Sequence, residues 1–173
     1  MKFTILLFTT LFASFTGFSQ WEQKADPIFT KDHGIGFSID GQGYILTGGK
    51  NGQVFTATKD FYQYDPIADA WSQLTDYPGP ARGYGIGDTW NGKLYFGFGT
   101  DGNGDLLDDL WEWDPTTNTF TQLPSCPCDA RAHPALIADN GKVYLGAGGG
   151  AAGNLADFWT YDITTQTWAQ IAD

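Results

Sequence analysis

Asp109-Leu110-Trp111-Glu112-Trp113-Asp114-Pro115-Thr116-Thr117-Asn118-Thr119-Phe120 has two echoes in the same chain. They are Asp60-Phe61-Tyr62-Gln63-Tyr64-Asp65-Pro66-Ile67-Ala68-Asp69-Ala70-Trp71 and Asp157-Phe158-Trp159-Thr160-Tyr161-Asp162-Ile163-Thr164-Thr165-Gln166-Thr167-Trp168. In an extended strand successive side chains point to opposite faces. Each copy therefore sets a pair of rings on one face: Tyr62 with Tyr64, Trp111 with Trp113, Trp159 with Tyr161. Asp-Pro or Asp-Ile-Thr-Thr then makes a turn, because short polar side chains bond nearby backbone there. A second strand follows, carrying Trp71, Phe120 or Trp168.

Working outward, the same period returns in other residues. Trp21, Trp71, Phe120 and Trp168 lie 50, 49 and 48 residues apart, and Tyr44, Tyr95 and Tyr144 lie 51 and 49 apart. Asp40-Gly41, Asn91-Gly92 and Asn140-Gly141 precede those tyrosines. Such pairs between apolar runs mark two-residue hairpin turns, which need positive φ at both central positions. One strand is expected to end near Ile39, Trp90 and Ala138, and the next to start at Gly43, Lys93 and Lys142. The latter runs into Gly48, Gly99 and Gly148, where close backbone approach is expected. Each unit thus holds four short strands, a to d, and the chain is all-β.

These motifs resemble the kelch repeat family, whose repeats carry a diglycine after strand b and a spaced Tyr and Trp on strands c and d. The diglycine stands here as Gly48-Gly49 and Gly148-Gly149, and the ring pair as Tyr64 with Trp71 and Tyr161 with Trp168. The middle unit departs, with Thr100 after Gly99 and with Trp113 and Phe120 as its pair, so its strand b is expected to end differently. The resemblance implies a β-propeller of three four-stranded antiparallel blades, at about 33–74, 82–123 and 131–171, with a leading strand d at 21–23. Propellers close with about 4–8 blades. Three leave the ring partial, so further blades are expected from sequence beyond Asp173 or from a second chain of the same kind. Without either, the end blades would open aromatic faces to water.

The N-terminus reads as a signal peptide over residues 1–19. Lys2 is followed by an apolar stretch from Ile5 to Phe15, and small Gly17 and Ser19 stand before a cut ahead of Gln20. It implies a secreted, periplasmic or cell-surface protein. No later segment approaches the roughly 20 apolar residues that cross a bilayer, so membrane insertion is not expected. With a net charge of −11, the chain lacks the cationic surface by which proteins bind phosphates, and nucleic acid is excluded as a partner. Export makes a disulfide between Cys126 and Cys128 a candidate, although a ring across Pro127 alone is sterically awkward.

Repetition sorts scaffold from function. Asp60, Asp109 and Asp157, like Asp65, Asp114 and Asp162, occur in every unit and are expected to bond turn backbone at the ends of strand c. What varies is the b–c loops (Lys50–Lys59, Asp101–Asp108, Gly150–Ala156) and the d–a loops (Asp26–Asp32, Asp76–Ala81, Ser125–Ala130). Strands b and d run the same way, so both loop sets emerge on one face, where function is expected. His33, Arg82 and Arg131 open the three innermost strands there, and with His133 they are expected to rim the channel. Asp101, Asn103 and Asp105 form a polar Gly-rich loop with a passing likeness to a Ca²⁺ turn. Leu106 stands where an EF-hand requires glycine, and Glu112 lies in a predicted strand.

No cofactor or metal site is assigned, and two functional readings stand. One is a non-catalytic binding module for protein or glycan. The other is part of a carbohydrate-active kelch enzyme, which the resemblance offers in two forms. A galactose-oxidase-like copper centre has no matching His, Tyr and Cys set here. A sialic-acid epimerase or mutarotase could draw on Arg82, Arg131 and His133, with residues from further blades.

Overall fold

A computed structural model describes residues 21–50 and 56–172, so the signal peptide and part of the first b–c loop lie outside the described residues. The first unit contains β1 (Lys31–Asp32), β2 (Ile35–Ile39), β3 (Gln42–Leu46), β4 (Gly49–Lys50), β5 (Thr56–Ala57), β6 (Phe61–Asp65) and β7 (Ala70–Leu74). The second contains β8 (Ile86–Trp90), β9 (Lys93–Gly97), β10 (Leu110–Asp114) and β11 (Thr119–Leu123). The third contains β12 (Ala135–Asp139), β13 (Lys142–Gly146), β14 (Gly149–Gly150), β15 (Gly153–Asn154), β16 (Phe158–Asp162) and β17 (Thr167–Ala172).

The long strands form three four-stranded antiparallel sheets, ordered β2-β3-β6-β7, β8-β9-β10-β11 and β12-β13-β16-β17. These are the a, b, c and d strands of the three expected blades. Register puts Tyr64 opposite Trp71, Trp113 opposite Phe120 and Tyr161 opposite Trp168. The innermost strands β2, β8 and β12 lie side by side around the channel.

Repetition in sequence becomes repetition in backbone. Asp40, Asn91 and Asn140 have φ of 51, 51 and 47°, and the glycines after them 77, 73 and 77°, which makes the a–b hairpin turns. Asp65, Asp114 and Asp162 accept main-chain N–H groups of the c–d turn, as expected, for example from Ile67 at 2.8 Å and Thr116 at 2.8 Å. At Gly99, φ is 91° and a Cβ would stand 2.3 Å from the Gly83 carbonyl oxygen, so only glycine fits. Gly48 and Gly148 meet the same crowding.

The second glycine of the pair is different. Only one atom, 4.0 Å away, approaches a Cβ built on Gly149. Thr100 occupies this position in blade two and pairs with Gly83, as Gly49 pairs with Asp32 and Gly149 with Ala132. Strand b of blade two therefore ends like the others, against expectation, because the main chain makes these bonds.

Between blades lie two aromatic and aliphatic seams. Ile35, Ile39, Leu46 and Phe61 pack on Leu94, Phe96, Trp111 and Trp113 at the first. Tyr95, Leu110 and Leu123 pack on Leu136, Val143, Leu145 and Tyr161 at the second. The leading strand d expected at 21–23 does not form: residues 21–27 carry no strand, and Trp21 is fully exposed. A strand d needs the edge of a strand c to pair with, and among the described residues those edges of β6, β10 and β16 are taken by β7, β11 and β17.

Candidate functional site

Each unit begins with a basic residue that the fold consumes. Arg82 Nη1 and Nη2 donate to Asp109 Oδ1 and Oδ2 at 2.8 and 2.6 Å, and Nη1 also reaches the Phe98 carbonyl at 3.0 Å. Arg131 repeats this with Asp157 at 2.8 and 2.9 Å and the Ala147 carbonyl at 3.1 Å. In blade one the partner is Lys31, bonded to Asp60 at 2.6 Å and to the Thr47 carbonyl at 2.8 Å. Each carboxylate also accepts from a ring on strand c: Trp111 at 2.7 Å, Trp159 at 2.6 Å or the Tyr62 hydroxyl at 3.1 Å.

This corrects two expectations. Arg82 and Arg131 do not rim the channel; both side chains are fully buried. Asp60, Asp109 and Asp157 are scaffold, but by neutralising a buried cation rather than by bonding a turn. The energetic reason is that a charge leaves water only when paired and hydrogen-bonded. Burial works against the Asp109 and Asp60 carboxylates, yet the bonds from Arg82 and Lys31 win and hold both below the usual carboxylate range. For Asp157 the Arg131 bond itself dominates, with the same outcome. Burial pulls the Lys31 ammonium below its usual value, and burial with the Asp60 bond pushes the Tyr62 phenol up to about 12.

Two residues after each cation stands a second repeated column: His33, Tyr84 and His133. All three adopt left-handed backbone, with φ of 50, 58 and 51°. They stand two residues before the starts of β2, β8 and β12, and so crown the innermost strands on the face of the b–c and d–a loops. Their rings converge from three different blades: His33 and Tyr84 have centroids 4.2 Å apart, Tyr84 and His133 4.8 Å, and His33 and His133 5.8 Å. The main chain ties the group across a seam, since the His133 amide donates to the Tyr84 carbonyl at 3.0 Å. His33 and His133 are exposed and Tyr84 is half-buried, so the cluster lies at the surface. Asp32 Oδ1 lies 3.6 Å from His33 Nδ1.

Thus the rings of His33 and His133 come together with Tyr84 as their third member, and Lys31 is the residue matching Arg82 and Arg131. The signal was present. Lys31, Arg82 and Arg131, like His33, Tyr84 and His133, keep the 51- and 49-residue intervals of Tyr44, Tyr95 and Tyr144.

The other candidates stand apart from this cluster. Asp101 Oδ1 accepts the main-chain N–H of Asn103 at 2.7 Å and of Asp105 at 3.0 Å, which makes a local turn. Its carboxylate is spent on its own loop. Among the described residues no group of three His, Cys, Asp or Glu side chains is arranged to hold a metal ion. Cys126 and Cys128 form a disulfide across Pro127, with Cα atoms 5.1 Å apart. Cys126 takes the buried repeat position that Tyr77 holds before blade two. Where Tyr77 Oη accepts from Arg82 Nη2 at 2.5 Å, the cysteine loop offers the Asp129 carbonyl to Arg131 Nε at 2.9 Å. The loop supports the ion pair beneath it.

Comparison with known proteins agrees with this architecture. None of the curated proteins compared matches the sequence. Among solved structures, that of YjhT superposes with a TM-score of 0.78 at 19% identity, over 88% of this chain and 55% of YjhT. The chain therefore spans about half the length of that structure. Residues 19–173 match the KLHDC2/KLHL20/DRC7 Kelch-repeats domain, and the chain belongs to that family.

Proposed function

We propose that this chain is an exported, non-catalytic binding module that seats a protein or glycan ligand on its b–c and d–a loop face, at the channel mouth. The observation that carries the reading is the convergence of His33, Tyr84 and His133, one from each blade, within 5.8 Å. The neighbouring cations Arg82 and Arg131, by contrast, are buried and neutralised. Rings clustered at tilted and edge-on angles offer apolar faces to a sugar ring or side chain, and their polar edges fix orientation. The catalytic reading loses support because Arg82 and Arg131, its basic residues, are held inside by Asp109 and Asp157. Export rests on the signal-peptide pattern of residues 1–19.

The test is a glycan and protein array probed with the full chain and with H33A, Y84A and H133A variants. Ligands retained by the wild type and lost by all three variants support the reading. Capture that is indifferent to these substitutions, or no capture at all, overturns it.

A further inference from the structure

Blades two and three are entered by matching loops, and only the second of these loops carries cysteines. Before blade two the Tyr77 amide donates to the Lys59 carbonyl at 3.0 Å, and the Arg82 amide to the Thr58 carbonyl at 3.1 Å. Before blade three the Cys126 amide donates to the Asp108 carbonyl and the Arg131 amide to the Leu107 carbonyl, again at 3.0 and 3.1 Å. The Trp168 indole adds a bond to the Pro124 carbonyl at 2.8 Å, and Arg131 Nε one to the Asp129 carbonyl at 2.9 Å. The cysteine loop is therefore fastened at both ends, and its counterpart is fastened in the same way with no disulfide.

The Cys126–Cys128 bond is thus redundant for the anchoring of the loop. It also contributes little through the unfolded chain, because that gain grows with the number of residues a cross-link encloses. This one encloses Pro127 alone. What it does hold is two sulfurs in unlike surroundings. Cys126 is 2% exposed, in the apolar cluster with Leu123, Leu136 and Tyr161, whereas Cys128 is half-buried. A thiol arriving from solution meets Cys128 first. The Cys128 amide, in turn, donates to Cys126 Sγ at 3.3 Å, so an N–H is already aimed at the sulfur that such an attack would release.

We propose that the Cys126–Cys128 disulfide is a thiol-exchange site that takes two electrons from a pair of solution thiols, entered at Cys128. In the first step a thiolate attacks Cys128 Sγ. A new S–S bond forms there, the Cys126–Cys128 bond breaks, and its electron pair leaves on Cys126 Sγ. The Cys128 N–H stabilises that charge until a proton neutralises it. In the second step another thiolate attacks the incoming sulfur of the mixed disulfide and frees Cys128 as a thiolate, which takes up a proton. Two thiols are oxidised to one disulfide, and the protein disulfide is reduced to two thiols. The backbone bonds that fasten the loop take no part, so exchange proceeds in the folded molecule.

Reduced glutathione added to the native full chain tests this, read by acid quenching, alkylation and mass-spectrometric peptide mapping. The expected result is a glutathione adduct on Cys128, then two free thiols, while the near-ultraviolet dichroism spectrum stays that of the folded chain. A disulfide that glutathione opens only in denaturant is structural and overturns the proposal, and so does an adduct carried by Cys126. Single variants separate the two sulfurs. With glutathione disulfide as the oxidant, Cys128 in C126S is expected to form its mixed disulfide about tenfold faster than Cys126 in C128S. Equal rates in the two folded variants overturn entry at Cys128. Should either variant fail to fold, the adduct map of the wild type decides alone.

Discussion

Arg82 and Asp109 meet two prongs to two, at 2.8 and 2.6 Å, in a place where the guanidinium has no contact with solvent. The pair joins the start of a blade to the strand c of the same blade. Trp111 locks the carboxylate and the Phe98 carbonyl takes a further bond from Arg82. Arg131 with Asp157, and Lys31 with Asp60, repeat the arrangement at the other two blades.

Removing one member of this pair strands the other. R82M leaves the Asp109 carboxylate buried without its counter-ion, and is expected to cost about 3–5 kcal/mol of stability. The double variant R82M/D109L replaces both charges by apolar groups and is expected to recover most of that loss, since a buried pair often only offsets its own desolvation. Guanidinium chloride unfolding of the three proteins, compared by midpoint at equal slope, measures both values. A double variant as unstable as R82M would show that the ion pair is worth more than its desolvation.

Acid should loosen the molecule through these same groups. Asp60, Asp109 and Asp157 have folded pKa values below the ordinary range, which is about 3.9 in an unfolded chain. The unfolded chain therefore takes up protons first as pH falls. The stability these carboxylates contribute is fully present above that unfolded value and is lost as pH drops through the folded values. Urea midpoints are expected to be level between about pH 7 and 5 and to fall steeply below about pH 4. D109N starts from a lower stability, and its midpoint is expected to fall less steeply in acid than that of the wild type. Equal slopes would remove Asp109 from the account.

The two glycines of the kelch pair should separate cleanly. G99A places a methyl group 2.3 Å from the Gly83 oxygen at a φ of 91°, and is expected to cost roughly 2–4 kcal/mol. G149T copies the residue that blade two carries at this position and is expected to change stability by no more than about 0.5 kcal/mol. Thermal unfolding followed by near-ultraviolet dichroism compares them directly.

Strand positions were legible because each rests on local chemistry repeated three times. Strand b, expected from Gly43, Lys93 and Lys142, begins at Gln42, Lys93 and Lys142. A turn such as Asn91-Gly92 needs nothing from the rest of the chain. The channel mouth was only half legible. His33 and His133 draw attention as rare residue types, whereas Tyr84 is one of 8 tyrosines and stands out only by its interval. Matching His33 to Arg82 shifted the first unit by two residues and hid Lys31, whose partner Asp60 lies 29 positions away.

From the sequence alone came the three-fold period, the strands, their hairpin turns and the kelch family. All depend on neighbours within a few residues, so pattern suffices. Tertiary structure alone decided which repeated charges are interior and which repeated rings are exposed. Arg82 and His133 are both polar residues just ahead of an innermost strand. One is buried because Asp109 folds back to neutralise it. The other stays at the surface because its left-handed backbone turns it toward Tyr84 and His33 of the preceding blades. Burial depends on what the rest of the chain brings to a place, and only the folded molecule assembles it.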